Sequence, residues 1–184
     1  SVNYFGTVEV MDRLRPLLAN GDRPSAVAIA SNSTTTAPGY CLELTEACLA
    51  GDEAEARRVA DEVAGESTIE YAATKLAIAR WVRHQAVTPD WAGAGIRLNA
   101  IAPGMIATPM IDEGNSDPEL AKQLEMFQQT IALGRPGRPE EMAALLAFLV
   151  GTDSTFFCGS IVFADGGTDA ALRGDAWPAR WDLG

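Results

Sequence analysis

The chain predicts an α/β fold, a parallel sheet with helices on both faces. Three observations predict it. Short, largely apolar runs recur at 25–31 (SAVAIAS), 95–102 (GIRLNAIA) and 160–164 (SIVFA), and the first has the unbroken pattern of a buried parallel strand. Segments of helical period lie between them. Each run also stops at a polar loop or at Gly and Pro, so strand and helix alternate along the chain.

The first helix is carried by Tyr4, Val8, Met11, Leu14 and Leu18, which step by three or four residues into one apolar stripe. Asn20-Gly21 ends it. After the first strand, SNSTTTAPG reads as a polar loop. Residues 41–67 are rich in Ala and Glu and form a helical insert of one or two helices, with Gly51-Asp52 as the break. Cys41 and Cys48, seven residues apart, share a helix face if the segment is continuous, and read as packing residues. Helical period resumes from Thr68 to about Ala86. Pro103-Gly104 stops the second strand. Residues 112–133 form a polar, helical excursion. Pro139, followed by Glu140 and Glu141, opens a clean helix with the apolar body MAALLAFLV. Asp165-Gly166-Gly167 closes the last strand, and the tail after it has no clear period. No internal repeat is present, and 184 residues fit one domain, 1–184.

Composition excludes several function classes. A net charge of −11 argues against a nucleic-acid or anionic-membrane surface, which needs clustered Lys and Arg. No apolar run approaches the roughly 20 residues that cross a bilayer. The first residues contain acids and have no signal-peptide layout. Three cysteines without close metal spacing suit a reducing, cytoplasmic setting, and no metal site is expected. The one histidine, His84, would have to serve any Ser-His-Asp hydrolase, yet no G-x-S-x-G elbow accompanies it. It reads as a surface residue.

The chemistry-bearing feature is Tyr71-Ala-Ala-Thr-Lys75. Residues i and i+4 of a helix share a face, so a phenol and an ammonium group lie side by side. This is either an amphipathic ridge or an acid tuned by a cation, since a nearby cation favours a phenolate. Around it stand a serine-bearing strand end (Ile29-Ala30-Ser31), the run Asn99-Ala-Ile-Ala-Pro-Gly104, and the terminal Asp165-Gly166-Gly167. In this order, these four features resemble the short-chain dehydrogenases/reductases, and the resemblance covers nearly the whole chain.

The resemblance implies a Rossmann-like, doubly wound, three-layer parallel sheet whose N-terminal part, with the glycine-rich cofactor turn, is absent from this sequence. It implies a catalytic set of Asn3, Ser31, Tyr71 and Lys75, with Ser33 as the alternative serine. Tyr71 would be the acid/base, and Lys75 would also reach the cofactor ribose. Pro103, Gly104, Ile106 and Thr108 match the family's P-G-x-x-x-T segment, which contacts the nicotinamide. Asn99 would order the active-site region, Asp165 would help close the last strand, and 105–135 would be the substrate lid. The implied reaction interconverts a secondary alcohol and a ketone with NAD or NADP, which this sequence does not separate. SVNYFG and the Ala/Glu insert resemble a hydroxysteroid-acting branch of the family. Partners would be the small-molecule alcohol or ketone and further copies of the chain, as a homodimer or homotetramer. The alternative is a non-enzymatic remnant that binds no dinucleotide.

Overall fold

The second strand is the centre of the sheet. In the computed structural model, which describes residues 1–63, 67–109 and 118–177, β1 (Ser25–Ile29), β2 (Arg97–Pro103) and β3 (Ile161–Ala164) pair in parallel, in the order β1-β2-β3. Ser25 lies opposite Arg97 and Ile29 opposite Ile101, while Ala100 to Pro103 pair with Ile161 to Ala164. β2 is buried along almost its whole length, its polar Asn99 included.

Register decides which side chains face which helix. Ser25 Oγ and Arg97 Nη1 both donate to the carbonyl of Leu149 at 3.1 Å. Leu149 lies in the helix α7 (Pro139–Val150), so α7 covers the face those two side chains share. Side chains alternate along a strand, and Ala26, Ala28, Leu98 and Ala100 therefore turn to the opposite face. There they form the main core with Ala77, Ile78, Trp81 and Val82 of α5 (Ser67–Gln85). The result is three layers with helices on both faces, as expected from the sequence.

α5 explains the run of small residues around its Tyr and Lys. Ala72, Ala73 and Ala77 are fully buried, which lets the helix sit close to its neighbours. The insert covers its flank as two helices, α3 (Leu42–Leu49) and α4 (Glu53–Glu62). Gly51 makes the corner at φ +75°, a value that favours glycine, and Asp52 caps α4 by accepting from the Glu55 amide at 2.9 Å. Leu44, Cys48, Ala56 and Val59 face inward. The outer face of α4 carries exposed ion pairs of Arg57 with Glu53 and of Arg58 with Glu55 and Glu62.

Three details differ from the sequence reading. The first helix, α1 (Thr7–Leu18), is preceded by a wider π-helical turn over Val2–Gly6, in which the Gly6 amide donates to the Ser1 carbonyl at 3.2 Å. The polar loop after β1 contains a one-turn helix, α2 (Ser33–Thr36). The hydroxyls of Thr34 and Thr36 bond back to backbone carbonyls and hold a turn that apolar periodicity cannot reveal. The tail after β3 holds α8 (Thr168–Arg173), too short to show a period. Of the 112–133 excursion, α6 (Pro118–Gln128) is helical, while 110–117 lies outside the described residues.

Candidate active site

All three strands deliver their C-terminal ends to one edge, where ligands bind in sheets of this type. The ends are stitched to one another. The Asn32 amide, just past β1, donates to the Pro103 carbonyl at 2.9 Å, and the Gly104 amide donates to Ala164 at 3.1 Å. A Cβ on Gly104 would lie 2.7 Å from both Cα and Cβ of Asp165. Only a residue without a side chain lets the ends of β2 and β3 approach so closely.

α5 brings Tyr71 and Lys75 to this edge. Lys75 Nζ donates to the carbonyl of Ile29, the last residue of β1, at 2.8 Å, and lies 5.7 Å from the centroid of the Tyr71 ring. Burial holds the lysine below its ordinary pKa. Tyr71 is 42% exposed and lines a pocket of ≈ 320 Å³ together with Asn3, Leu44, Cys48 and Arg57. Asn3 sits in the π-helical turn, where its carbonyl accepts from the Thr7 hydroxyl at 2.8 Å. A groove shared by Asn3, Gly6, Ile29 and Lys75 joins the turn to the lysine.

Ser31 is buried, two residues beyond Ile29. Its Oγ accepts from the Ser33 amide at 3.1 Å, which leaves its own proton available to donate. Ser33 Oγ is also buried and has no hydrogen-bond partner among the described residues.

Beyond Gly104 the chain runs beside Gly137. The Gly137 amide donates to Met105 at 2.9 Å, and the Ala107 amide donates to Gly137 at 2.8 Å. These bonds use the residues on either side of Ile106, so the amide and carbonyl of Ile106 itself turn to the opposite side. Thr108 follows, partly buried. Asn99 lies farther back in β2, fully buried. It donates to the Phe157 carbonyl and accepts from the Ser160 amide, both at 3.0 Å, and so fixes the approach to β3. Asp165 accepts from the amides of Gly167 and Asp169 at 3.0 and 2.7 Å, a cap that closes β3 onto α8.

Two features were not found from sequence. The Ile29 carbonyl as acceptor for Lys75 carries no side-chain signal. The Asn32 contact to Asp165 Oδ2 at 3.4 Å had only a weak one, an Asn ahead of a Ser/Thr run. Among the described residues there is no group of three or more His, Cys, Asp or Glu able to hold a metal, and no helix long and apolar enough to cross a membrane. His84 is exposed on α5.

Residues 54–169 match the family described as enoyl-(acyl carrier protein) reductase, a stretch that holds Tyr71, Lys75, Gly104 and Asp165 and more than half of the chain. The chain belongs to the short-chain dehydrogenase/reductase family. It is 38% identical, over 175 residues, to a 3-alpha-hydroxysteroid dehydrogenase/carbonyl reductase of Comamonas testosteroni, covering 94% of this chain and 66% of that protein. The crystal structure of the 3-alpha-hydroxysteroid dehydrogenase from Pseudomonas sp. B-0831 complexed with NADH superposes with a TM-score of 0.85 at 40% identity, over 94% of this chain and 66% of that one. Pseudomonas aeruginosa RhlG, in an active-site complex with NADP, gives 0.65 at 27% identity, over 91% and 55%. The chain thus spans about two thirds of the length of its two hydroxysteroid-dehydrogenase relatives.

Proposed function

We propose that this short-chain dehydrogenase/reductase chain carries the proton-transfer half of an NAD(P)-dependent interconversion of a secondary alcohol and a ketone. The observation that carries the reading is the Lys75–Ile29 bond. It pins a cation at the ligand edge of the sheet, beside a phenol with an exposed face.

Tyr71 is the acid/base. Reduction of a ketone leaves an alkoxide-like oxygen that takes a proton from the phenol, and oxidation of an alcohol runs the other way. A cation at the distance of Lys75 stabilises negative charge as it develops on the phenol oxygen. Ser31 donates its free proton to the substrate oxygen and holds it near Tyr71. Asn3 and Lys75 border one groove, which supports a proton path from that side.

The residues present fit the nicotinamide–ribose end of a dinucleotide. The outward amide and carbonyl of Ile106 offer a donor and an acceptor to a carboxamide, joined by the Thr108 hydroxyl. Pro103 and Gly104 would stand beside it, and Lys75 would bond the ribose. When bound, NAD or NADP supplies or accepts the hydride. The substrate class we propose is a hydroxysteroid or another bulky apolar alcohol, supported by the names of the two hydroxysteroid-dehydrogenase relatives described above. The segment around α6 would be its lid.

The test is oxidation of a 3α-hydroxysteroid by the full-length protein with NAD⁺ or NADP⁺, followed by absorbance of the reduced nicotinamide. Turnover that disappears in Tyr71→Phe supports the reading. Turnover that survives in that variant overturns the assignment of the acid/base.

A further inference from the structure

The serine-bearing turn is fastened to the C-terminal helix by two side chains. Asn32 Nδ2 reaches Asp165 Oδ2. Three residues on, Thr35 Oγ1 donates to Asp169 Oδ1 at 2.5 Å. Asp169 is itself clamped from behind, since Arg173 donates to both carboxylate oxygens at 2.6 Å. The Arg173 guanidinium in turn lies near two rings, 5.6 Å from the centroid of Phe163 and 5.0 Å from that of Trp177.

This ion pair is unlike the others. Its side chains are only 18% and 12% exposed, whereas both partners of each other described pair, except Arg15 with Asp90, are at least 33% exposed. Removing charges from water is costly, and a pair so placed is weak evidence for stability alone. Its carboxylate presents one oxygen to α2. That turn otherwise holds itself by local bonds from its amides and from the Thr34 and Thr36 hydroxyls to the Ser31 and Asn32 carbonyls, which fix its shape but not its place on the sheet edge.

We propose that Asp169, held by Arg173, is a positioning residue that acts through Thr35 to fix the α2 turn and with it the hydroxyl of Ser31. The inference rests on the reading of Ser31 given above. The carboxylate sets where α2 sits, the Ser33 amide at the head of α2 bonds Ser31 Oγ, and the serine proton is thereby aimed at the substrate oxygen. A hydroxyl at position 35 is the required link, and serine can replace threonine there.

The experiment uses the full-length protein with a 3α-hydroxysteroid and NAD⁺, and hydrogen exchange of the Thr34–Thr36 amides as a second readout. Thr35→Val is expected to lower kcat at least about tenfold with KM for the cofactor unchanged, as misplacement of a positioned group does. Thr35→Ser is expected to restore kcat. In a Ser31→Ala background, Thr35→Val is expected to cost nothing further, because the two act as one unit. Equal, additive losses in both backgrounds would overturn the proposal, as would α2 amides that exchange in Thr35→Val as slowly as in the parent. If Ser31→Ala alone leaves kcat unchanged, the reading of Ser31 fails, and the positioning role fails with it even where exchange shows the clamp to be real.

Discussion

The ammonium group of Lys75 is bonded to the carbonyl of Ile29, 46 residues earlier in the chain, at 2.8 Å. This one contact joins α5 to the end of β1 and fixes the site's cation beside Tyr71. Lys75→Met keeps the apolar stem and removes the donor. The lost hydrogen bond should cost about 0.5–1.5 kcal/mol of stability, since the Ile29 carbonyl lies at an exposed position and can bond water instead. Cofactor affinity and turnover should both fall, because the proposed function gives both roles to this group. Thermal melting and NAD(H) titration check this. A variant with parental cofactor affinity would remove Lys75 from the binding role.

Tyr71→Phe separates the two roles proposed for Lys75. The ring keeps its place, and the lost hydroxyl stands at a position 42% exposed, so the melting temperature should hold. Turnover should drop by roughly 10² to 10⁴, the usual contribution of a positioned acid/base, with cofactor affinity nearly intact. Equal losses in both quantities would count against proton transfer as its role.

How much of this was legible in the sequence follows from the range of each signal. Strands and long helices could be read because burial repeats along them: β2 is apolar from Ala100 to Pro103 and α7 has Pro139, Glu140 and Glu141 at its start. The break at Gly51-Asp52 was legible because a positive φ and a cap each demand particular residues. The π-helical turn at Asn3 was not, since it is a change of one residue in hydrogen-bond spacing with no side-chain signature. α2 and α8 are held by Thr, Asn and Asp bonds between segments more than 130 residues apart. Their i, i+4 pair, Asp169 and Arg173, could be seen, but its partner Thr35 could not. Tyr71 and Lys75 stood out as chemistry at a fixed helical spacing, whereas the acceptor that fixes Lys75 is a backbone carbonyl, which every residue has.

Two glycines near the site should respond in opposite directions to the same substitution. In Gly104→Ala the new methyl meets backbone and Cβ of Asp165 at 2.7 Å. The ends of β2 and β3 must separate, at about 1–3 kcal/mol, and Asp165 shifts away from Asn32. Gly6 has helical φ and ψ of −61° and −41° and open space around its Cβ direction. Gly6→Ala should be neutral or stabilise by up to about 1 kcal/mol. Thermal melts of the two variants read both outcomes. A Gly104→Ala protein as stable as the parent would mean that the strand ends are not packed as described.

The insert carries a pH signature of its own. Burial pushes the Cys48 thiol up from 9.0 to about 11. Burial, with the neighbouring Cys48 and Asp12, pushes the Tyr4 phenol up from 10.0 to about 12. Both groups keep their protons longer in the folded state than in the unfolded one. Wherever the folded state binds more protons, stability falls as pH rises. Their contribution is whole below about pH 9 and is lost from there to 11 for Cys48, and from 10 to 12 for Tyr4, on the order of 2 kcal/mol for each. Lys75 works the other way. Burial lowers its pKa, so it adds stability as pH rises from that lowered value to 10.5. Comparison of parent and Cys48→Ala cancels the lysine, because both proteins carry it. The melting temperature of the parent should fall more steeply than that of Cys48→Ala between pH 9 and 11, with equal slopes below pH 8. Equal slopes throughout would mean that the thiol is not held in the core that α3 forms against Tyr4.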